Sequence, residues 1–196
     1  MVCTNNRKWD DTMRVLSLHG LSKTAWSRYS ESGFKFYDTT RAGYKYNMMD
    51  LQAALGIPQL RRLEENFLVR ERHWKHYDKA FKQNEFLIRP CEQKHIRHAR
   101  HLYTPLLDVD KFGASRDAFL AALQKENIGA GIHFIALHLH SFYKKKFGYK
   151  RGDFPNAEYI SDRTISIPFS ARLTDADAED VIAAVNKVTR GLAIGK

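Results

Sequence analysis

The sequence predicts an α/β protein, and two patterns carry that reading. From residue 84 onward, short apolar runs alternate with helical stretches over roughly 110 residues, as expected of one small sheet covered by helices in a sandwich. Ahead of them Leu60, Phe67, Trp74 and Phe81 recur every seven residues, with Leu63 and Tyr77 between, which is an apolar seam on a long helix.

Taken in order, "DDTMRVLSLHG" has helical spacing, with Met13, Leu16 and His19 on one side and Gly20 as a stop. Residues 21–43 are rich in Ser, Thr, Gly and aromatics and read as a long loop with one extended piece. A loop of that length is commonly functional. The long helical pattern runs from Met49 to about Phe81, with Asp50 as its N-terminal acid and a bend or break expected near Gly56–Pro58. "EFLIRP" and "HLYTPLLDV" read as strands, Pro105 marking an edge or bulge. "SRDAFLAALQKENIG" is a helix capped by Ser115 and closed by Gly129, and "AGIHFIAL" is a strand. "FYKKKFG" is a short helix or turn, and "NAEYISDRTISIPF" a helix running into a strand. The last helix opens with the capping pair Thr174 and Asp177 and buries Val181, Ile182, Val185 and Val188.

The apolar share, 43% of 196 residues, is that of a globular chain. No run reaches the roughly 20 apolar residues of a membrane span, so a soluble, cytoplasmic protein without membrane partners is expected. Cys3 and Cys91 are too few for a disulfide framework; Cys3 reads as a possible core strand residue. The net charge is +10, but the basic residues are dispersed among acids, which favours a solvated basic surface over nucleic-acid binding. The aromatics of "WKHYDKAFK" fall on the helix seam and read as core.

Two histidine sets invite a metal: His95, His98 and His101, then His133, His138 and His140. Neither has acidic or cysteine ligands at a familiar spacing, so no metal is expected. His133, between apolar residues at the end of a predicted strand, is either a pocket residue or a hydrogen-bonded core histidine. No GxGxxG, Walker or GxSxG motif occurs. There remains "GYKYNMMD": either a turn with two inward tyrosines, or a loop that aims Lys45 at an anion, for which an ammonium is a natural partner.

"GYKYNMMDLQAALGIPQLRRLEENF" resembles the signature that precedes a long helix in the DegT/DnrJ/EryC1/StrS family of pyridoxal 5'-phosphate (PLP) sugar aminotransferases. "LSLHGLSKTAW", "GIHFIALHLHSFYKKKFGY" and "GDFPNAEYISDRTISIPFSARLTDADAEDVIAAV" resemble later and earlier family segments in the right order. The resemblance implies the C-terminal part of a fold-type I PLP transferase. Residues 1–43 would be a large-domain remnant and interface loop, 44–83 the connecting helix region, and 84–196 a small α/β sandwich domain. It implies that the stretch bearing the Schiff-base lysine ends just before Met1. No lysine here matches that residue, which holds the coenzyme and shuttles its proton. The chain alone is therefore expected to be inactive. The parent would transfer an amino group from glutamate to a nucleotide-linked keto-sugar. A non-catalytic module that binds a nucleotide-sugar or a partner is the alternative.

The same resemblance assigns sites. Lys45, with Tyr44 and Asn47, would reach across a homodimer interface, built from the 43–56 loop and helix, to the partner's coenzyme phosphate. Lys45 stands where the family commonly has asparagine, and Asn47 where it commonly has arginine. His133 and Phe134 would touch the nucleotide end of the substrate across that interface. His19 and Lys23 would lie near its phosphates, and His138 would face the sugar or brace the loop.

Overall fold

The computed structural model describes residues 2–22 and 38–194, which divide into two units, Met1–Arg61 and Arg62–Lys196. In the first unit, α1 (Arg7–Ser17) starts at Asn6, whose side chain accepts from the backbone of Trp9. Residues 2–4 form no strand, and Cys3 is exposed. Leu21 bridges Thr39, which supplies an extended piece at the two ends of the long loop.

The first unit closes with α2 (Asp50–Arg61). Pro58 lies inside it without ending it. The ring removes one backbone bond, and the break comes later, before α3 (Leu63–Ala80) in the second unit. None of α2 is buried, although Leu51, Leu55, Ile57 and Leu60 are all large and apolar.

In the second unit, β1 (Leu87–Ile88) pairs antiparallel with β2 (Leu106–Leu107). Single antiparallel bridges extend that pair: Leu106 to Thr164, Tyr103 to Ile167, and Ser166 to Gly131. The sheet is thus short, and four chain segments run side by side. Packed with it are α3, α4 (Val109–Phe112), α5 (Arg116–Lys125) and α8 (Asp175–Ile194), the last touching the other three. The core joins Trp74 and Tyr77 of α3, and Phe81 at its cap, to Tyr103, Phe119, Ile165 and Val185. The Tyr77 hydroxyl donates to the carbonyl of Pro168 at 2.9 Å. Burial pushes the phenols of Tyr77 and Tyr103 above their ordinary range.

Local chemistry explains the boundaries. Ser115 Oγ accepts from Ala118 N–H and opens α5, which ends at Lys125 with Glu126 as its cap and Asn127 at φ of 60° just beyond, ahead of Gly129. At the start of α8, Asp177 N–H donates to Thr174 Oγ1 while Thr174 N–H donates to Asp177 Oδ2, a reciprocal capping box. The Thr174 hydroxyl, which also donates to Asp177 Oδ2 at 2.6 Å, and the Thr174 N–H hold the Asp177 carboxyl below the usual range. The predicted strand at "AGIHFIAL" is instead a tethered loop, and it leads into a 3-10 turn (Leu137–Leu139), α6 (Ser141–Phe147) and α7 (Pro155–Arg163). No helix among the described residues is long and apolar enough to cross a membrane.

Candidate functional site

The first unit folds residues 38–47 back onto the end of α1. Gly20, at φ of 76°, and Gly43 make this possible. A Cβ on Gly43 would stand 2.2 Å from Gly20 N, and one on Gly20 1.7 Å from the carbonyl oxygen of Arg41. Tyr44 N–H donates to Leu16 O at 2.7 Å, Tyr46 N–H to Ser17 O at 2.8 Å, and His19 N–H to Tyr44 O at 2.8 Å. "HG" and "GYKYN" are thereby brought together, His19 and Lys45 both being exposed. Lys23 lies outside the described residues.

Tyr44 and Tyr46 do not pack inward. They are 57% and 74% exposed, and their rings stack with centroids 4.9 Å apart and planes 4° from parallel. Their shared side means that Lys45 projects from the opposite one. Main-chain bonds, not the rings, hold this strand. Lys45 has no carboxylate partner among the described residues. Asn47 is half-buried, and its Oδ1 has no hydrogen-bond donor among the described residues.

The second unit holds the other candidates on one loop. Three side chains from α7 and the segment after it fasten that loop. Ser166 Oγ is 2.6 Å from His133 Nδ1, Ser161 Oγ accepts from Ala136 N–H at 2.9 Å, and Glu158 Oε1 is 2.8 Å from His138 Nε2. The backbone N–H groups of Gly152 and Phe154 also donate to Glu158 Oε1, at 2.8 and 3.4 Å. Burial raises the carboxyl's pKa, but the His138 bond and these two N–H groups outweigh it and hold the group below the usual glutamate range. His138 itself is buried against Phe154, so it ties two loops together. Phe134 is 74% exposed, and Ile135 and Leu137 also face solvent.

Glu158, Ser161 and Ser166 were not among the residues singled out from sequence. The family-like segment "GDFPNAEYISDRTISIPF" contains all three, but nothing in the spacing marks the two serines. His95, His98, His101 and His140 are exposed, and no group of three or more potential ligands among the described residues could hold a metal ion. A cavity of about 520 Å³ lies between α5 and α8 and is lined by Glu126, Asp177, Asp180, Val181 and Lys187, among others. It contains none of the candidate residues, and its three carboxylates suit a phosphorylated ligand poorly.

The profile of the DegT/DnrJ/EryC1/StrS aminotransferase family matches residues 1–186. The chain belongs to that family. It is 47% identical over 188 residues to the uncharacterised protein MJ1066 of Methanocaldococcus jannaschii, covering 96% of this chain and 49% of that one. It is 46% identical over 192 residues to the spore coat polysaccharide biosynthesis protein SpsC of Bacillus subtilis, covering 97% and 49%. Its fold matches the putative sugar aminotransferase Spr1654 of Streptococcus pneumoniae in the PMP form, with a TM-score of 0.83 at 25% identity, covering 96% of this chain and 47% of that one. The chain spans about half the length of the curated relatives it matches. The fold class read from the sequence, part of a fold-type I PLP transferase, is the one these family members share with it.

Proposed function

We propose that this chain serves as the C-terminal portion of a PLP-dependent aminotransferase that moves an amino group from glutamate to a nucleotide-linked keto-sugar. Residues 1–43 act as a remnant of the large domain, 44–83 as the connecting region and 84–196 as the small domain. The observation that carries the reading is Lys45: an exposed ammonium with no carboxylate partner among the described residues, on a strand held by main-chain bonds to the His19 turn. Such a cation fits the phosphate of PLP, the coenzyme of the family. When bound, PLP supplies the electron sink for amino transfer.

In this reading Lys45 holds the phosphate of a second copy's coenzyme, with Tyr44 and Asn47 beside it. The exposed apolar side chains of α2 continue that surface into a homodimer contact. His133 and Phe134 receive the nucleotide, the imidazole by hydrogen bonding and the ring by stacking. By resemblance to the family's "HG" segment, His19 and Lys23 are assigned to the nucleotide's phosphates. His138 faces the sugar only through the loop it braces, because its Nε2 is taken by Glu158. The similarity to a polysaccharide biosynthesis protein supports a sugar substrate.

Calorimetric titration with UDP and with dTDP tests the nucleotide part. Saturable binding of one of them, weakened about tenfold in His133→Gln by loss of one hydrogen bond to a charged or polar group, is the expected result. No binding of either nucleotide overturns this part of the reading.

A further inference from the structure

The fastening of the 131–140 loop fixes more than its path. Ser166 is 6% exposed, and its hydroxyl proton needs an acceptor there. The one side-chain contact of that hydroxyl among the described residues is His133 Nδ1, at 2.6 Å. The backbone groups of Ser166 are already committed, its N–H to Gly131 O at 2.8 Å and its carbonyl to Gly131 N–H at 2.9 Å. A hydroxyl with a single nearby acceptor donates to it. The neutral imidazole of His133 then carries its own proton on Nε2, the nitrogen away from Ser166.

We infer that Ser166 is a positioning residue that sets His133 as an Nε2–H donor, so that the loop presents a fixed hydrogen-bond donor, beside the exposed Phe134 ring, to an acceptor-rich ligand of the nucleotide class. The ligand class rests on the function proposed above; the tautomer does not. The geometry is prebuilt. Ser161 holds the backbone at Ala136, and Glu158 holds His138, so the segment around His133 is tied on three successive side chains. Phe134 and His133 stand with ring centroids 4.8 Å apart and planes 66° apart, which leaves the phenyl face and the imidazole edge side by side. A loop braced in this way loses little freedom on binding.

The test is a long-range proton–nitrogen correlation spectrum of the histidine side chains at about pH 8, where an ordinary imidazole is neutral. His133→Gln identifies the signals. In the unaltered chain, His133 is expected as the Nε2–H tautomer. Ser166→Ala is expected to give a mixture of both tautomers and Ser166→Thr, which keeps the hydroxyl, to restore the single form. A purely structural serine would leave the tautomer untouched. Affinity for whichever of UDP and dTDP the unaltered chain binds should fall about tenfold in Ser166→Ala and recover in Ser166→Thr. An Nδ1–H tautomer in the unaltered chain, or an unchanged spectrum in a folded Ser166→Ala chain, overturns the inference. Failure of the unaltered chain to bind UDP or dTDP overturns the nucleotide reading instead, and the spectra still decide the role of Ser166.

Discussion

Among single residues, Glu158 shows how burial and hydrogen bonding compete. Its side chain is buried, which disfavours the charge, yet one imidazole and two backbone N–H groups stabilise the charged form enough to depress its pKa, with the Arg151 guanidinium 3.7 Å from the other carboxylate oxygen. A depressed folded-state pKa means that the charge contributes stability above the ordinary glutamate value of about 4.3. That contribution is lost as pH falls through the depressed value. Glu158→Gln is therefore expected to lower the urea midpoint at neutral pH, and the gap between the two chains should narrow as pH falls toward about 3. A gap independent of pH would remove the charge from the explanation. The family-like segment "GDFPNAE" was visible in the sequence, but not the partner of its glutamate, because His138 lies twenty residues away in the chain and meets it only through the folded loop.

The helices differ in how plainly they are written. The last was legible almost to the residue: Thr174 and Asp177 cap it, and Val181, Ile182, Val185 and Val188 are buried as the spacing requires. Capping chemistry is local, so it survives any tertiary arrangement. Thr174→Ala is expected to cost about 1 kcal/mol, read as a lowered thermal midpoint with an unchanged circular dichroism spectrum. The long seam was half legible. Trp74, Tyr77 and Phe81 are buried, but Leu60 and Leu63 are exposed in this chain, because an apolar stripe says that a face is covered without saying by what. The predicted strand at 130–137 failed for a related reason. The Ala136 N–H and the side chains of His133 and His138 bond to α7 and the segment after it instead of to a neighbouring strand. Alternation of residue types cannot report that choice.

For the whole molecule, two kinds of surface remain to be accounted for: the apolar α2 and the cationic strand at Lys45. The ordered motifs, rather than periodicity, made the family legible, since no single stretch of composition distinguishes this α/β sandwich from many others. The central claim is that these surfaces are one half of a sugar aminotransferase. It is tested most directly by joining this chain to the half of the Bacillus subtilis relative that it does not match, and measuring glutamate-dependent amino transfer to a UDP-linked keto-sugar. The account predicts transfer by the joined chain, none by this chain alone, and an approximately tenfold higher PLP requirement in the joined Lys45→Ala chain, from loss of one charge-assisted phosphate contact. A joined chain that folds and binds PLP but transfers no amino group would contradict it, and would leave a binding module as the better description.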